Sequence, residues 1–142
     1  MPDTNGPSPT INKGGAGYQL GIGNSTNPSM GQMTITTIGS YTGAATVTAA
    51  EVLSGLLSYT GSGHTLTLPT ATLLDAAVGN AIVGSFIEFG VNATTGTATL
   101  AGGTGITTNA TGVGSLLVTA ATSARFRLVK TGTAAWNLYR VG

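Results

Sequence analysis

The chain has 142 residues, and five Lys and Arg against four Asp and Glu leave a formal charge of +1. Only 6% of its residues are charged, against about 25% in ordinary soluble domains, so Thr, Ser, Asn and backbone amides must wet the surface; nothing clusters cations as a phosphate backbone requires, and nucleic acid is not an expected partner. With no Cys present, disulfide scaffolds, thiolate metal sites and cysteine nucleophiles are excluded together.

Residues 1–32 are dense in Gly, Asn, Ser and Pro, with isolated apolar side chains. Ordering one residue costs about 1–2 kcal/mol, so this stretch reads as an extended N-terminal arm that needs contacts from outside itself. Within it, Tyr18-Gln19-Leu20-Gly21-Ile22 alternates apolar with small or polar residues. Such a segment can add to an exposed sheet edge of a partner; the same pattern also fits a first strand of the domain's own sheet. Ile11, Tyr18, Leu20, Ile22, Met30 and Met33 are the candidate anchors. The start Met-Pro-Asp-Thr-Asn-Gly has no charged, apolar leader, and no run approaches the roughly 18 apolar residues of a membrane span, so neither export by signal peptide nor a membrane partner is expected.

From residue 33 the texture becomes short Thr, Val, Ile, Leu and aromatic runs separated by Gly clusters, the pattern of an all-β domain over 33–142. At 41% hydrophobic residues one domain with its own core is feasible. The expected strands are Met33–Ile38, Tyr41–Val47, His64–Leu68, Ser85–Asn92, Thr97–Ala101, Gly105–Thr108, Ser115–Thr119, Ala124–Lys130 and Ala135–Val141, the last two forming a hairpin through Thr131-Gly132-Thr133. Thr48-Ala49-Ala50-Glu51 is a capping box that opens a short helix ending near Gly55. A second helical turn is expected over Thr72–Val78, ended by Gly79-Asn80. No fixed repeat period is evident. The fold class expected is a β-sandwich or β-barrel-like domain with one or two short helical turns, preceded by the arm.

Residues able to carry chemistry are few. The sole His is His64, without a Gly-x-Ser-x-Gly nucleophile elbow. Asp3, Glu51, Asp75 and Glu88 are scattered, outside any metal-loop spacing and too few for an acid/base pair. No catalytic, cofactor or metal residue is therefore expected, and the chain reads as a non-enzyme. Gly21-Ile22-Gly23 and Gly102-Gly103-Thr104-Gly105 lack the Lys and the strand-to-helix setting of phosphate loops, so they read as turns. Arg125 and Arg127 fall on one strand face and Lys130 on the other. Arg125, Arg127 and Tyr139 are candidate polar contacts for a partner, while Trp136, on the opposite face from Tyr139, is assigned to the core.

Five phrases carry a likeness: Thr-Ala-Ala-Glu-Val-Leu at 48–53, Thr-Leu-Thr-Leu-Pro-Thr-Ala at 65–71, Gly-Ser-Phe-Ile-Glu-Phe at 84–89, Ala-Gly-Gly-Thr-Gly-Ile at 101–106 and Ala-Arg-Phe-Arg-Leu-Val-Lys at 124–130. Spread over about two thirds of the chain, they resemble the small β domains of tailed-phage virion proteins: head decoration (cement) proteins, head fibres and tail fibres. The resemblance brings no enzymatic residues and no cofactor. It implies a homotrimer made in the host cytoplasm and located on the virion, with the arm gripping the major capsid protein on the outside of the head. A fibre or receptor-binding module for host glycans or surface proteins is the alternative it allows.

Overall fold

A computed structural model describes residues 38–109 and 115–142. They are mostly strand, in two mixed sheets with two short helices. The strands are β1 (Gly39–Tyr41), β2 (Ala45–Thr46), β3 (Leu56–Tyr59), β4 (His64–Thr67), β5 (Phe86–Ala93), β6 (Ala98–Ala101), β7 (Ile106–Asn109), β8 (Leu117–Val118), β9 (Thr122–Gly132) and β10 (Ala135–Arg140). Helices α1 (Ala49–Leu53) and α2 (Ala71–Val78) lie between β2 and β3 and between β4 and β5.

Successive strands alternate between the sheets. β1, β3 and β5 pair in parallel in a six-stranded sheet ordered β1-β3-β5-β9-β10-β7, and β2, β4 and β6 pair in parallel in a four-stranded sheet ordered β8-β6-β4-β2. Parallel neighbours need a crossover; here the crossover runs through the opposite sheet, so the chain makes three turns of a coil before the β9–β10 hairpin closes against β5. Corners at 42–44, 60–63 and 94–97 are short, while the returns at 47–55 and 68–85 carry the helices.

Of the expected strand Met33–Ile38, residues 33–37 lie outside the described residues; elsewhere the structure departs from the expected elements as follows. The run Tyr41–Val47 is not one strand: it leaves the six-stranded sheet after Tyr41 and enters the other at Ala45, turning the corner around Gly43. Leu56–Tyr59, which the sequence pattern does not flag, is an interior strand paired on both edges, with Leu57 and Tyr59 fully buried. α2 starts one residue before the expected Thr72, with Thr70 as its cap accepting from the Leu73 N–H. The capping box on α1 forms as expected, the Thr48 Oγ1 accepting from Glu51 N–H and the Glu51 carboxylate accepting from Thr48 N–H. The helix stops at Ser54, and Gly55 then takes φ +89°, a conformation that favours glycine.

One cluster of buried side chains draws from both sheets and both helices: Leu66, Leu100 and Val118 from the smaller sheet, Leu57, Phe89, Phe126, Trp136 and Leu138 from the larger, with Val52 and Leu74 from the helices. Period-2 alternation decides what remains outside. In β9, Ala124, Phe126, Leu128 and Lys130 face the core while Arg125, Arg127 and Val129 point away. The arm residues Ile11, Tyr18, Leu20, Ile22, Met30 and Met33 lie outside the described residues.

Candidate partner-binding face

The outward side of β5, β9 and β10 gathers the expected contact residues. Strand register sets Arg127 opposite Glu88 on one side and opposite Tyr139 on the other, so Glu88, Arg127 and Tyr139 form one cross-strand row. The alternation of core residues in three paired strands makes this placement obligatory: a slip of one residue would bury Glu88 in β5, the arginines in β9 or Tyr139 in β10, and expose Phe89, Phe126 or Leu138 in turn.

Glu88 organises the charge. Its Oε2 accepts from Arg127 Nε at 2.8 Å and also from Arg127 Nη2, while Arg125 Nη1 reaches Oε1 at 3.4 Å. The Arg127 hydrogen bond, against a smaller opposing effect of burial, holds the Glu88 carboxyl below the usual carboxylate range, and the charges of Arg127 and Arg125 add to this. The Arg127 guanidinium also lies over the Phe86 ring, 4.5 Å from its centroid, a geometry that holds the cation flat on the sheet. At the far end of the row the Tyr139 hydroxyl accepts from Asn137 Nδ2 at 3.2 Å.

The face thus holds two arginines, one carboxylate and two exposed aromatic rings, Phe86 and Tyr139, on a three-stranded platform. Arg, Tyr and Phe are the side chains enriched where proteins meet partners. Glu88 and Phe86 were absent from the expected contacts. Their signal was the alternation of Phe86 and Glu88 with Ile87, Phe89 and Val91; the identity of the strand beside them was not legible.

Among the described residues, the other titratable groups make contacts within the fold. Asp75 on α2 accepts from Lys130 Nζ and, at 2.8 Å each, from Trp136 Nε1 and the Ala134 N–H, which ties the helix to the hairpin. Glu51 accepts from the Tyr41 hydroxyl at 2.6 Å. Burial pulls the Glu51 carboxyl upward, and hydrogen bonds from Thr48 and Tyr41 outweigh it; burial, then Glu51 itself, pushes the Tyr41 phenol up. His64 sits at the start of β4 with Nδ1 2.7 Å from the Tyr59 hydroxyl, which accepts from the Gly63 N–H. Arg140 donates to the carbonyls of Ser115 and Leu117. Among the described residues, no three His, Cys, Asp or Glu side chains come together to hold a metal, and no helix is long and apolar enough to cross a membrane. Compared with known proteins, the chain matches no family model, no curated protein and no solved structure.

Proposed function

We propose that the chain is a structural virion protein of a tailed phage, a head decoration protein that binds the outside of the capsid and stabilises it, with no catalytic role. One observation carries the binding part of this reading. Asp75, Glu51 and His64 are engaged in contacts that hold the fold together, while the exposed arginines and aromatic rings stand on a sheet face, as a binding module requires. The assignment to a phage head rests on the resemblance and on the Gly, Asn and Pro-rich arm. On this reading the two sheets stack as a β-sandwich around their common core, and the major capsid protein is the partner.

The arm supplies the grip. Burying side chains the size of Tyr18, Leu20 and Ile22 contributes roughly 1.5–3 kcal/mol each. In the full chain, replacing Leu20 and Ile22 together with Ser is expected to lower co-sedimentation with phage heads at least tenfold while leaving the melting temperature of the free protein unchanged. Full occupancy by this variant would make the arm a passive tail. Binding to host cells or their glycans, and not to heads, would instead establish the fibre or receptor-binding alternative.

The protein is also read as a homotrimer, since few charges keep copies apart and Ile82, Val83 and Phe86 remain more than half exposed in a single chain. Light scattering coupled to size exclusion is expected to return three times the chain mass at micromolar concentration. A monomer mass there, and again after binding to heads, would overturn it.

A further inference from the structure

Beside Arg125 the outward face is interrupted by a depression of about 330 Å³ lined by Leu56, Gly90, Val91, Ser123, Ala124, Arg125 and Gly142. That volume sits at the lower end of the roughly 300–1,000 Å³ typical of small ligand sites. Its origin is one missing side chain. Register places Gly90 directly between Leu56 on β3 and Arg125 on β9, so the cross-strand row has a gap where every neighbouring row is filled. A Cβ built on Gly90 would meet nothing closer than Leu56 Cδ1 at 3.6 Å, an ordinary contact, so the space is open to an occupant.

At the rim the Gly142 oxygen accepts from the Arg125 N–H at 2.8 Å and from Arg140 Nε at 3.3 Å, while the Arg125 guanidinium is only loosely engaged. Arg127 takes Glu88 Oε2 through two donors, leaving Arg125 one long contact of 3.4 Å to Oε1. The Arg125 side chain is 65% exposed. Two guanidinium groups therefore share one side-chain carboxylate, and the more exposed of them stands at the rim of a hollow of mixed polarity, with Leu56 as its large apolar wall. Arginine matches a carboxylate with two parallel donors, a geometry its contact with Glu88 leaves unused.

We propose that this notch docks an acidic side chain of a partner polypeptide, its aliphatic stem against Leu56 and its carboxylate on Arg125. The inference deepens the binding role proposed above and relies on that reading only for the identity of the partner. Arg125 turns from Glu88 to the incoming carboxylate, and Glu88 keeps Arg127, so that pair stays intact while the loosely engaged guanidinium is used.

Capped tripeptides test it without any capsid. Acetyl-Leu-Glu-Leu-amide, titrated into the full-length protein and followed by amide NMR shifts, is expected to move Gly90, Val91, Ala124 and Arg125 saturably. It should bind at least fivefold more tightly than acetyl-Leu-Gln-Leu-amide. Arg125→Gln is expected to abolish that preference, and Gly90→Val, whose branched side chain suits a strand, to remove binding of both peptides. Equal affinity for the two peptides, shifts scattered away from the notch, or an undiminished preference in Arg125→Gln would overturn the proposal. A notch that ignores the peptides in a protein that still sediments with phage heads refutes the notch alone; peptide binding by a protein that ignores heads refutes the decoration reading alone.

Discussion

Replacing Gly96 with Ala is expected to cost about 4 kcal/mol of stability or more, the range reserved for substitutions that force backbone apart. The corners of the coil stack directly: Thr42, Gly61 and Gly96 occupy successive turns, and the Thr95 hydroxyl donates to the Thr60 carbonyl between them. A Cβ on Gly96 would overlap the Gly61 carbonyl oxygen and lie 2.8 Å from its carbon and 2.9 Å from Ser62 Cα. These are backbone atoms of a short corner whose two ends are fixed by strands of the two sheets, so no flexible side chain can move aside. The Gly61 corner is equally tight, since a Cβ there would run into the Thr42 carbonyl and the Tyr59 hydroxyl, and that hydroxyl is already engaged by Gly63 and His64. Gly90→Ala is the control: its Cβ has room, and the change should stay within about 0.5 kcal/mol of wild type. Urea unfolding followed by Trp136, the sole tryptophan and 1% exposed, measures both. A Gly96→Ala midpoint equal to wild type would mean that the corners do not touch.

Such close stacking explains why the strands were more legible than their arrangement. Alternation along Phe86–Val91 and Arg125–Lys130 states which side chains face inward, and the structure agrees at Phe89, Phe126 and Lys130. A coil would normally announce itself by a repeat length. Here the return after β2 occupies 47–55 and the return after β4 occupies 68–85, each with its own helix, so corresponding strands are unevenly spaced and no period emerges. Leu56–Tyr59 was hidden for a related reason: it begins immediately after the α1 cap and Gly55, and its neighbours, residues 39–41 and 90–93, are remote in sequence. On the candidate face, Arg125, Arg127 and Tyr139 were legible as outward residues. The shared dependence of the two arginines on Glu88 was not, because it arises from a pairing across 37 to 39 positions.

The same distance hid the role of Asp75, and its replacement is the second large effect expected. Asp75→Asn keeps the shape of the side chain but removes the charge that faces Lys130, whose own side chain is only 10% exposed. An ammonium held among the hairpin, helix α2 and the Trp136 ring, 5.4 Å from the ring centroid, then has no carboxylate beside it; breaking one partner of such a pair costs far more than the pair contributes. A fall of about 10 °C in melting temperature at pH 7 is expected, and adding Lys130→Met to the variant should recover part of it. Acid should tell the two proteins apart. The Lys130 hydrogen bond first, then the Ala134 N–H and the Trp136 Nε1–H, hold the Asp75 carboxyl down at about 2, against 3.8 for an unperturbed aspartate. A carboxyl depressed in the folded state stabilises fully above its unfolded value and loses that contribution as the pH falls through the folded one. The wild-type melting temperature should therefore drop towards that of Asp75→Asn between pH 4 and pH 2, with Glu51 and Glu88, lowered in both proteins, adding a common slope that the difference cancels. A constant gap between the two melting curves across that window would show that the carboxylate of Asp75 is not what joins α2 to the hairpin.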